Sequence, residues 1–140
     1  ATFFLAGPIH EDLKNRLLRE NIDVVENIPH SQIPTQLNQA KFLILSSFSE
    51  GLPNVILEAM SCGVVPVINP SFAFGRYLIS NNLAIELRLD RFSVTIEEIS
   101  DMIDNKGLLE KFGNRCIEFV RENHSITSVR ELNLKNLFQK

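Results

Sequence analysis

Apolar runs and helix-period segments alternate along the first two thirds of this chain. "TFFLAG" (2–7) is a short β-rich run that stops at a Gly-Pro step. "HEDLKNRLLRE" follows, with Leu13, Leu17 and Leu18 on one helical face and acids in the first turn, where the helix dipole favours them. "IDVVENI" (22–28) alternates more weakly and predicts a second strand. In "PHSQIPTQLNQA" a short helix is expected from about Pro34, because proline suits a first helical turn. "KFLILSS" (41–47) is continuously apolar, the pattern of a strand covered on both faces. "PNVILEAMSC" predicts a helix that Gly63 ends as a C-cap residue. "VVPVINP" predicts the next strand, and Pro66 points it toward a sheet edge, since proline cannot donate to a ladder. "LAIEL" (83–87) predicts a weaker strand.

Beyond it the pattern turns all-helical. Thr95 and Glu98 have capping-box spacing ahead of "IEEISDMID". "KGLLEKFGNRCIEFVREN" sets Leu109, Phe112, Cys116 and Phe119 at helical spacing, and "SITSVRELNLKNLFQK" predicts a final amphipathic helix capped by Ser125. No internal repeat, low-complexity segment or linker interrupts the chain. Strand–helix alternation with short connections predicts an α/β fold, a doubly wound, Rossmann-like parallel sheet with extra C-terminal helices. At 140 residues, a single domain spanning 1–140 with a sizeable core is expected. In such sheets ligands bind beyond the carboxyl ends of the strands.

Composition narrows the function classes. Hydrophobic content of 44% and charged content of 22% suit a globular chain, and a net charge of −3 without long blocks gives no basic footprint for nucleic acid and no polybasic stripe for a membrane. Cys62 and Cys116 have no CxxC or Cys/His neighbourhood and are expected as buried, reduced thiols of a cytoplasmic protein. "ATFFLAGPIH" is too short and lacks the basic flank of a signal peptide or membrane span. A start at Ala1, inside a strand pattern, suggests a fragment of something longer. His10 and His30 fall on loops after strands and His124 before a helix cap. None has metal-ligand spacing, and no metal or cofactor is expected.

The candidate chemistry sits in "SSFSEGLPNVILEAMSCGVVPVI" (46–68). A strand ends near Ser47, Gly51 allows a tight turn, and Pro53 stands near the first helical position. The amides of Asn54 and Val55 come too early in the helix for an intrahelical acceptor, and with the helix dipole they suit an anion, phosphate above all. Pro53 has no N–H to give. Glu58 follows at a helical rise of roughly 7.5 Å from that phosphate position, close to the reach from a nucleotide's phosphate to its ribose. A carboxylate that accepts two hydroxyl hydrogen bonds is a standard way to hold a ribose diol. Glu50 would face whatever lies beyond the phosphates. Two glutamates eight residues apart are explained more simply by surface solvation. Against that, Glu58 stands among Val55, Ile56, Leu57, Ala59 and Met60, and a buried carboxylate there needs partners.

The same stretch resembles the signature of the family-4 retaining glycosyltransferases of the GT-B fold, E-G-x-P-x-x-x-x-E-A-M-x-x-G-x-P-V. The chain keeps Glu50, Gly51, Pro53, Glu58, Ala59, Met60, Gly63, Pro66 and Val67. "FFLAGP" is similar to an earlier strand of the family and "HSITSVRELNLKNLF" to its terminal helix. The resemblance implies the C-terminal, donor-binding half of such an enzyme, which moves a sugar from a nucleoside diphosphate to an acceptor hydroxyl with retained configuration. It implies that Glu50 contacts the donor sugar as the catalytic glutamate and that Glu58 binds the ribose. Gly51 and Leu52 would serve the sugar side, Asn54 and Val55 the diphosphate, and Ile28 and Pro29 the base. An acceptor glycan or lipid would be held by an N-terminal domain. The implied setting is cytoplasmic, with peripheral association of the full-length protein at the inner membrane face as a further family trait and polysaccharide biosynthesis as a common role.

Three departures from the pattern stand out. The family's Arg/Lys pair that neutralises the leaving diphosphate lies upstream of the "FFLAG" strand and has no counterpart here, and Lys14 and Arg16 read as solvated helix charges. The family's first strand of this domain also lies upstream. After Pro70 the family's Gly-Gly-x-x-Glu is replaced by "SFAFGR", so that Arg76 occupies the region of the acid and reads as a surface or interdomain residue. Alternative readings are a sugar-nucleotide epimerase-like GT-B domain, a non-catalytic doubly wound binding or regulatory module such as a receiver domain, and a degenerate domain kept for assembly.

Overall fold

Residues 3–6, 11–19, 22–25, 28–49 and 53–124 are described by the structure, a computed structural model. The chain divides into two units, Ala1–Gln36 and Leu37–Lys140. In the first unit, β1 (Phe3–Ala6) and β2 (Ile22–Val25) pair in parallel from Phe3 opposite Ile22 to Ala6 opposite Val25. Helix α1 (Glu11–Arg19) makes the crossover, with Glu11 and Asp12 in its first turn. A 3-10 turn, His30–Gln32, leads into α2 (Ile33–Leu37), so Pro34 stands in a first helical turn as its fixed φ allows.

The second unit holds a three-stranded parallel sheet in the order β3 (Phe42–Leu45), β4 (Val65–Ile68), β5 (Ile85–Glu86). Helix α3 (Asn54–Ser61) connects β3 to β4, and α4 (Ala73–Ser80) connects β4 to β5. Helices α5 (Phe92–Asp104) and α6 (Lys106–Asn123) follow. Side chains of β4 alternate between two cores, as strand geometry requires. Ile68 joins Ile56, Met60, Leu78 and Cys116 on one face, while Val65 and Val67 join Ile85, Leu87 and Met102 on the other. Helices therefore cover both faces of an α/β parallel sheet, as the alternating pattern predicts.

Pro66 lies in the central strand, not an edge, and β4 is buried at all four positions. The reason is the direction of the missing donor. Val65 and Asn69 donate to Lys41 and Leu45, so alternate β4 amides face β3 and that of Pro66 would face β5. The β5 pairing starts only at Val67 opposite Ile85, one residue later, and no ladder bond is lost. β3 lies at one side of this three-stranded sheet, with Leu43 and Leu45 packed against one core and Phe42 against the other, as its apolar run predicts, while Ile44 is 46% exposed.

The capping box is also corrected. Helix α5 starts at Phe92, ahead of Thr95, which is fully buried. Its hydroxyl accepts from the Arg88 amide at 3.0 Å and donates to the Glu86 carbonyl at 3.1 Å, so it ties the end of β5 to α5. Glu98 accepts from Arg88 Nη1 at 3.3 Å instead of reaching back to a cap. The side chain that does cap is Asn105, which accepts from the Leu108 amide at the start of α6. Gly63 ends α3 at φ +75°, as its C-cap reading requires. The expected helix after Ser125 lies outside the described residues.

Candidate functional site

Helix α3 is built around a simple division of its faces. Ile56, Ala59 and Met60, at i, i+3 and i+4, are fully buried against the sheet and α6. Asn54, Glu58 and Ser61, at i, i+4 and i+7, share the opposite face. Glu58 is thus half-buried on a polar stripe, not enclosed among its apolar neighbours as their sequence proximity suggests. Ser61 Oγ donates to the Glu58 carbonyl at 2.6 Å, which holds the last turn.

The N-terminus of α3 lies beyond the carboxyl end of β3, the side on which parallel sheets bind ligands. Pro53 is buried and extended (φ −71°, ψ 108°), and no described side chain caps the helix. The Ile56 amide already donates to Pro53 O at 3.0 Å, so Asn54 and Val55 supply the first helical amides, one turn from Glu58. Such a terminus attracts an anion through its N–H groups and the helix dipole. Asn54 is exposed and Val55 half-buried.

Asn54, Val55 and Glu58 are therefore brought together on one helix. Glu50, Gly51 and Leu52 lie outside the described residues. Ile28 and Pro29 belong to the first unit, where the Pro29 carbonyl starts the 3-10 turn by accepting from Gln32 N at 2.8 Å.

The turn after β4 adds a network that the sequence motif does not announce. Asn69, only 6% exposed, accepts from the Ser71 amide at 2.9 Å. Arg76 Nη1 donates to Pro70 O at 3.0 Å and to Ser71 O at 2.9 Å. Ser71 Oγ donates to Ser47 O, on the loop leaving β3, at 3.4 Å. Arg76 is exposed, in keeping with a surface reading, but its guanidinium holds local backbone. The available signal was the Asn-Pro-Ser step, whose first side chain commonly bonds backbone two residues on.

A shallow cleft of about 390 Å³ lies at the opposite end of the sheet, lined by Lys41, Cys62, Gly63, Glu110 and Asn114 among others. Lys41 precedes β3 and Gly63 precedes β4, so the cleft opens at the amino ends of the strands and is separate from the α3 terminus. Cys62 is half-buried here, contrary to the expected buried thiol. Cys116 is buried as expected, with Sγ 3.5 Å from Leu83 O, and burial pushes its thiol up to about 12. His30 is exposed, while His124 packs against the rings of Phe119 (5.4 Å) and Phe74 (6.1 Å). Among the described residues no three His, Cys, Asp or Glu side chains are grouped to hold a metal, and no helix is long and apolar enough to cross a membrane.

The family model of the group 1 glycosyl transferases matches residues 6–119. Among solved structures, the chain is similar to an alpha-glucosyltransferase in complex with UDP-glucose and DNA containing an abasic site, with a TM-score of 0.73 and 16% identity. The similarity covers 99% of this chain and 44% of that one, so the chain spans less than half the length of that relative. At this identity the likeness speaks for the GT-B-type α/β fold. No curated protein matches the chain.

Proposed function

The chain belongs to the group 1 glycosyl transferases, and from that premise we propose that it is the nucleotide-sugar-binding domain of a retaining glycosyltransferase. The observation that carries the reading is the pairing of the α3 amino terminus with Glu58 one turn on, at the carboxyl end of a parallel sheet. The first helical amides take the donor's diphosphate, and Glu58 accepts from the ribose hydroxyls. Glu50, by its place in the motif, takes hydroxyls of the transferred sugar, with Gly51 and Leu52 beside it. Ile28 and Pro29 serve the base. The solved relative was captured with UDP-glucose, which makes UDP-glucose the first donor to try.

In this reading the domain binds and orients the donor, and the acceptor hydroxyl, of a glycan or lipid, is presented by another part of the full-length protein. The work is done by the chain's own groups without a cofactor, in a cytoplasmic setting or at the inner membrane face. Aligned amides at the phosphate are a ready-made stabiliser for charge that develops on the leaving diphosphate, a form of help that is often the largest catalytic term. An epimerase-like domain would use the same nucleotide contacts, but the Glu50–Glu58 context favours transfer.

Two measurements test the proposal. Calorimetric titration with UDP, GDP and ADP should show binding of one nucleotide class. With the full-length protein, NMR of the product should show the anomeric configuration of the donor kept. Binding of none of the nucleotides overturns the donor-domain reading, and an inverted product overturns retention.

A further inference from the structure

We propose that the amino terminus of α4 is a second anion site, in which Asn69 Nδ2, the Arg76 guanidinium and the amides of Ala73 and Phe74 hold an oxyanion, a carboxylate or a phosphate group. The site stands on the turn after β4 and is separate from the α3 terminus. That its anion is carried by the donor's sugar or by the acceptor rests on the donor-binding reading above.

Asn69 is only 6% exposed, and its Oδ1 accepts from the Ser71 amide at 2.9 Å. That bond fixes which end of the carboxamide is which, because only the oxygen can accept. Nδ2, on the same carbon, therefore lies beside the start of α4, with two N–H groups and no acceptor among the described residues. No buried side-chain nitrogen or oxygen among the described residues lacks a partner, so this nitrogen reaches the surface. A side chain set so deeply, with its donor end bare, calls for an acceptor from outside.

The hydrogen-bond balance of the turn gives the charge of that acceptor. Pro70 O and Ser71 O are engaged by Arg76 Nη1 at 3.0 and 2.9 Å, and Asn69 Oδ1 by Ser71. What remains is donors: Arg76 Nε and Nη2, Asn69 Nδ2 and the first amides of α4. The Arg76 amide makes the first helical bond, to Phe72 O at 3.1 Å, and no side chain caps the helix. Ala73 and Phe74 thus keep their N–H groups without an acceptor among the described residues. A cation in the first turns of a helix opposes the helix dipole, and α4 has no acid in its first turn to offset it. Gly75 lets the helix close down on the turn, since a Cβ there would lie 2.9 Å from Asn69 O. Positive charge, helix dipole and bare donors converge at one strand end, and a bound oxyanion satisfies all three.

Its place in the fold suits a ligand with two anionic groups. The Asn69 amide donates to Leu45 O at 3.3 Å, so the ends of β4 and β3 are neighbours, and α3 and α4 pack in the same core. Helices packed side by side lie about 10 Å apart. A molecule whose diphosphate sits at α3 can therefore bring a second anionic group to α4. That group is the carboxylate of an acidic sugar on the donor, or a phosphate on the acceptor beside it.

The test follows backbone amides of the 140-residue chain by NMR, at constant ionic strength, during titration with inorganic phosphate, in wild type, Asn69→Asp and Arg76→Gln. Asn69→Asp keeps the oxygen that holds Ser71 and replaces the donor with a charge of the wrong sign, and Arg76 is exposed, so both variants should fold. The Ala73 and Phe74 amides should shift saturably in the wild type, with affinity about ten-fold weaker in Asn69→Asp and about five-fold weaker in Arg76→Gln. The Asn54 and Val55 amides report α3 separately, and their silence would count against the donor-binding reading, not against this site. Two further titrations name the carrier. UDP-glucuronate against UDP-glucose, and GDP-mannuronate against GDP-mannose, read a donor carboxylate, while glucose 6-phosphate against glucose reads an acceptor phosphate. One of these pairs should favour its anionic member, and Asn69→Asp should erase the preference. Silent Ala73 and Phe74 amides, or a response equal in all three proteins, would overturn the proposal. So would a phosphate response with no preference in any pair, which marks an adventitious ion only.

Discussion

Gly113 of α6 packs its α-carbon against Gly63, so closely that a Cβ added at Gly113 would stand 2.6 Å from the Gly63 carbonyl oxygen. Gly63 is itself left-handed, at φ +75°, where it ends α3 and starts the chain toward β4. Two glycines thus let the longest described helix lie directly on the joint between α3 and the central strand. A methyl group against backbone has no flexible partner to move aside. Gly113→Ala should destabilise the chain by about 1–3 kcal/mol, the usual cost of overpacking. Gly63→Ala should cost about 1 kcal/mol through its backbone conformation. Urea unfolding of both variants checks the order, and a neutral Gly113→Ala would remove the close packing from the account.

Thr95 makes a second prediction at the far edge of the sheet. Its buried hydroxyl bridges the Arg88 amide and the Glu86 carbonyl. Thr95→Val keeps the shape but leaves a donor and an acceptor without their partner, so a loss of about 1–3 kcal/mol is expected. Glu98→Gln, which touches only part-exposed ion-pairing with Arg88 (3.3 Å), should cost less than about 1 kcal/mol. The two variants compared by thermal unfolding should rank in that order.

The two cysteines differ in reactivity and in pH dependence. Cys62, half-buried beside the amino-end cleft, should react with a thiol reagent in the folded state, whereas Cys116 should react only on unfolding. Burial raises the Cys116 thiol from an ordinary value of 9.0 to about 12. A raised folded value favours the neutral thiol, so its contribution to stability is complete below about pH 9 and is lost between about pH 9 and pH 12. Wild type should therefore lose stability over this range more steeply than Cys116→Ala, as measured by chemical denaturation at stepped pH. Equal slopes would show that the thiol is not the titrating group.

How much of this could be read from the residues depends on whether the pattern was local. The order of the strands follows from periodicity, and the end of α3 from a single glycine. Which strand is central does not: Pro66 is harmless in β4 only because its missing N–H faces the side where β5 has not yet begun to pair. The position of Glu58 depends on phase. Its neighbours in sequence are apolar, yet the turn of the helix sends Ile56, Ala59 and Met60 inward and Glu58 to the face of Asn54. Helix α4 is not announced in the sequence, since "SFAFGR" stands where the family has a glycine-rich motif, although Phe74 and Leu78 have helical spacing. Arg76 reads in sequence only as a surface or interdomain residue because its partners are backbone carbonyls, which no side-chain pattern can reveal.

The central claim is that α3 holds a nucleotide, with Glu58 on its ribose. Its most direct test is a calorimetric titration of the wild-type chain and of Glu58→Ala with UDP, GDP and ADP, and with the 2′-deoxy form of the one that binds. The account predicts that Glu58→Ala weakens the ribonucleotide about ten-fold, the loss of a hydrogen bond to a charged group, and that the 2′-deoxynucleotide is affected far less. Ribonucleotide binding that is indifferent to Glu58→Ala would contradict the ribose role, and a wild-type chain that binds none of the three would contradict the claim as a whole.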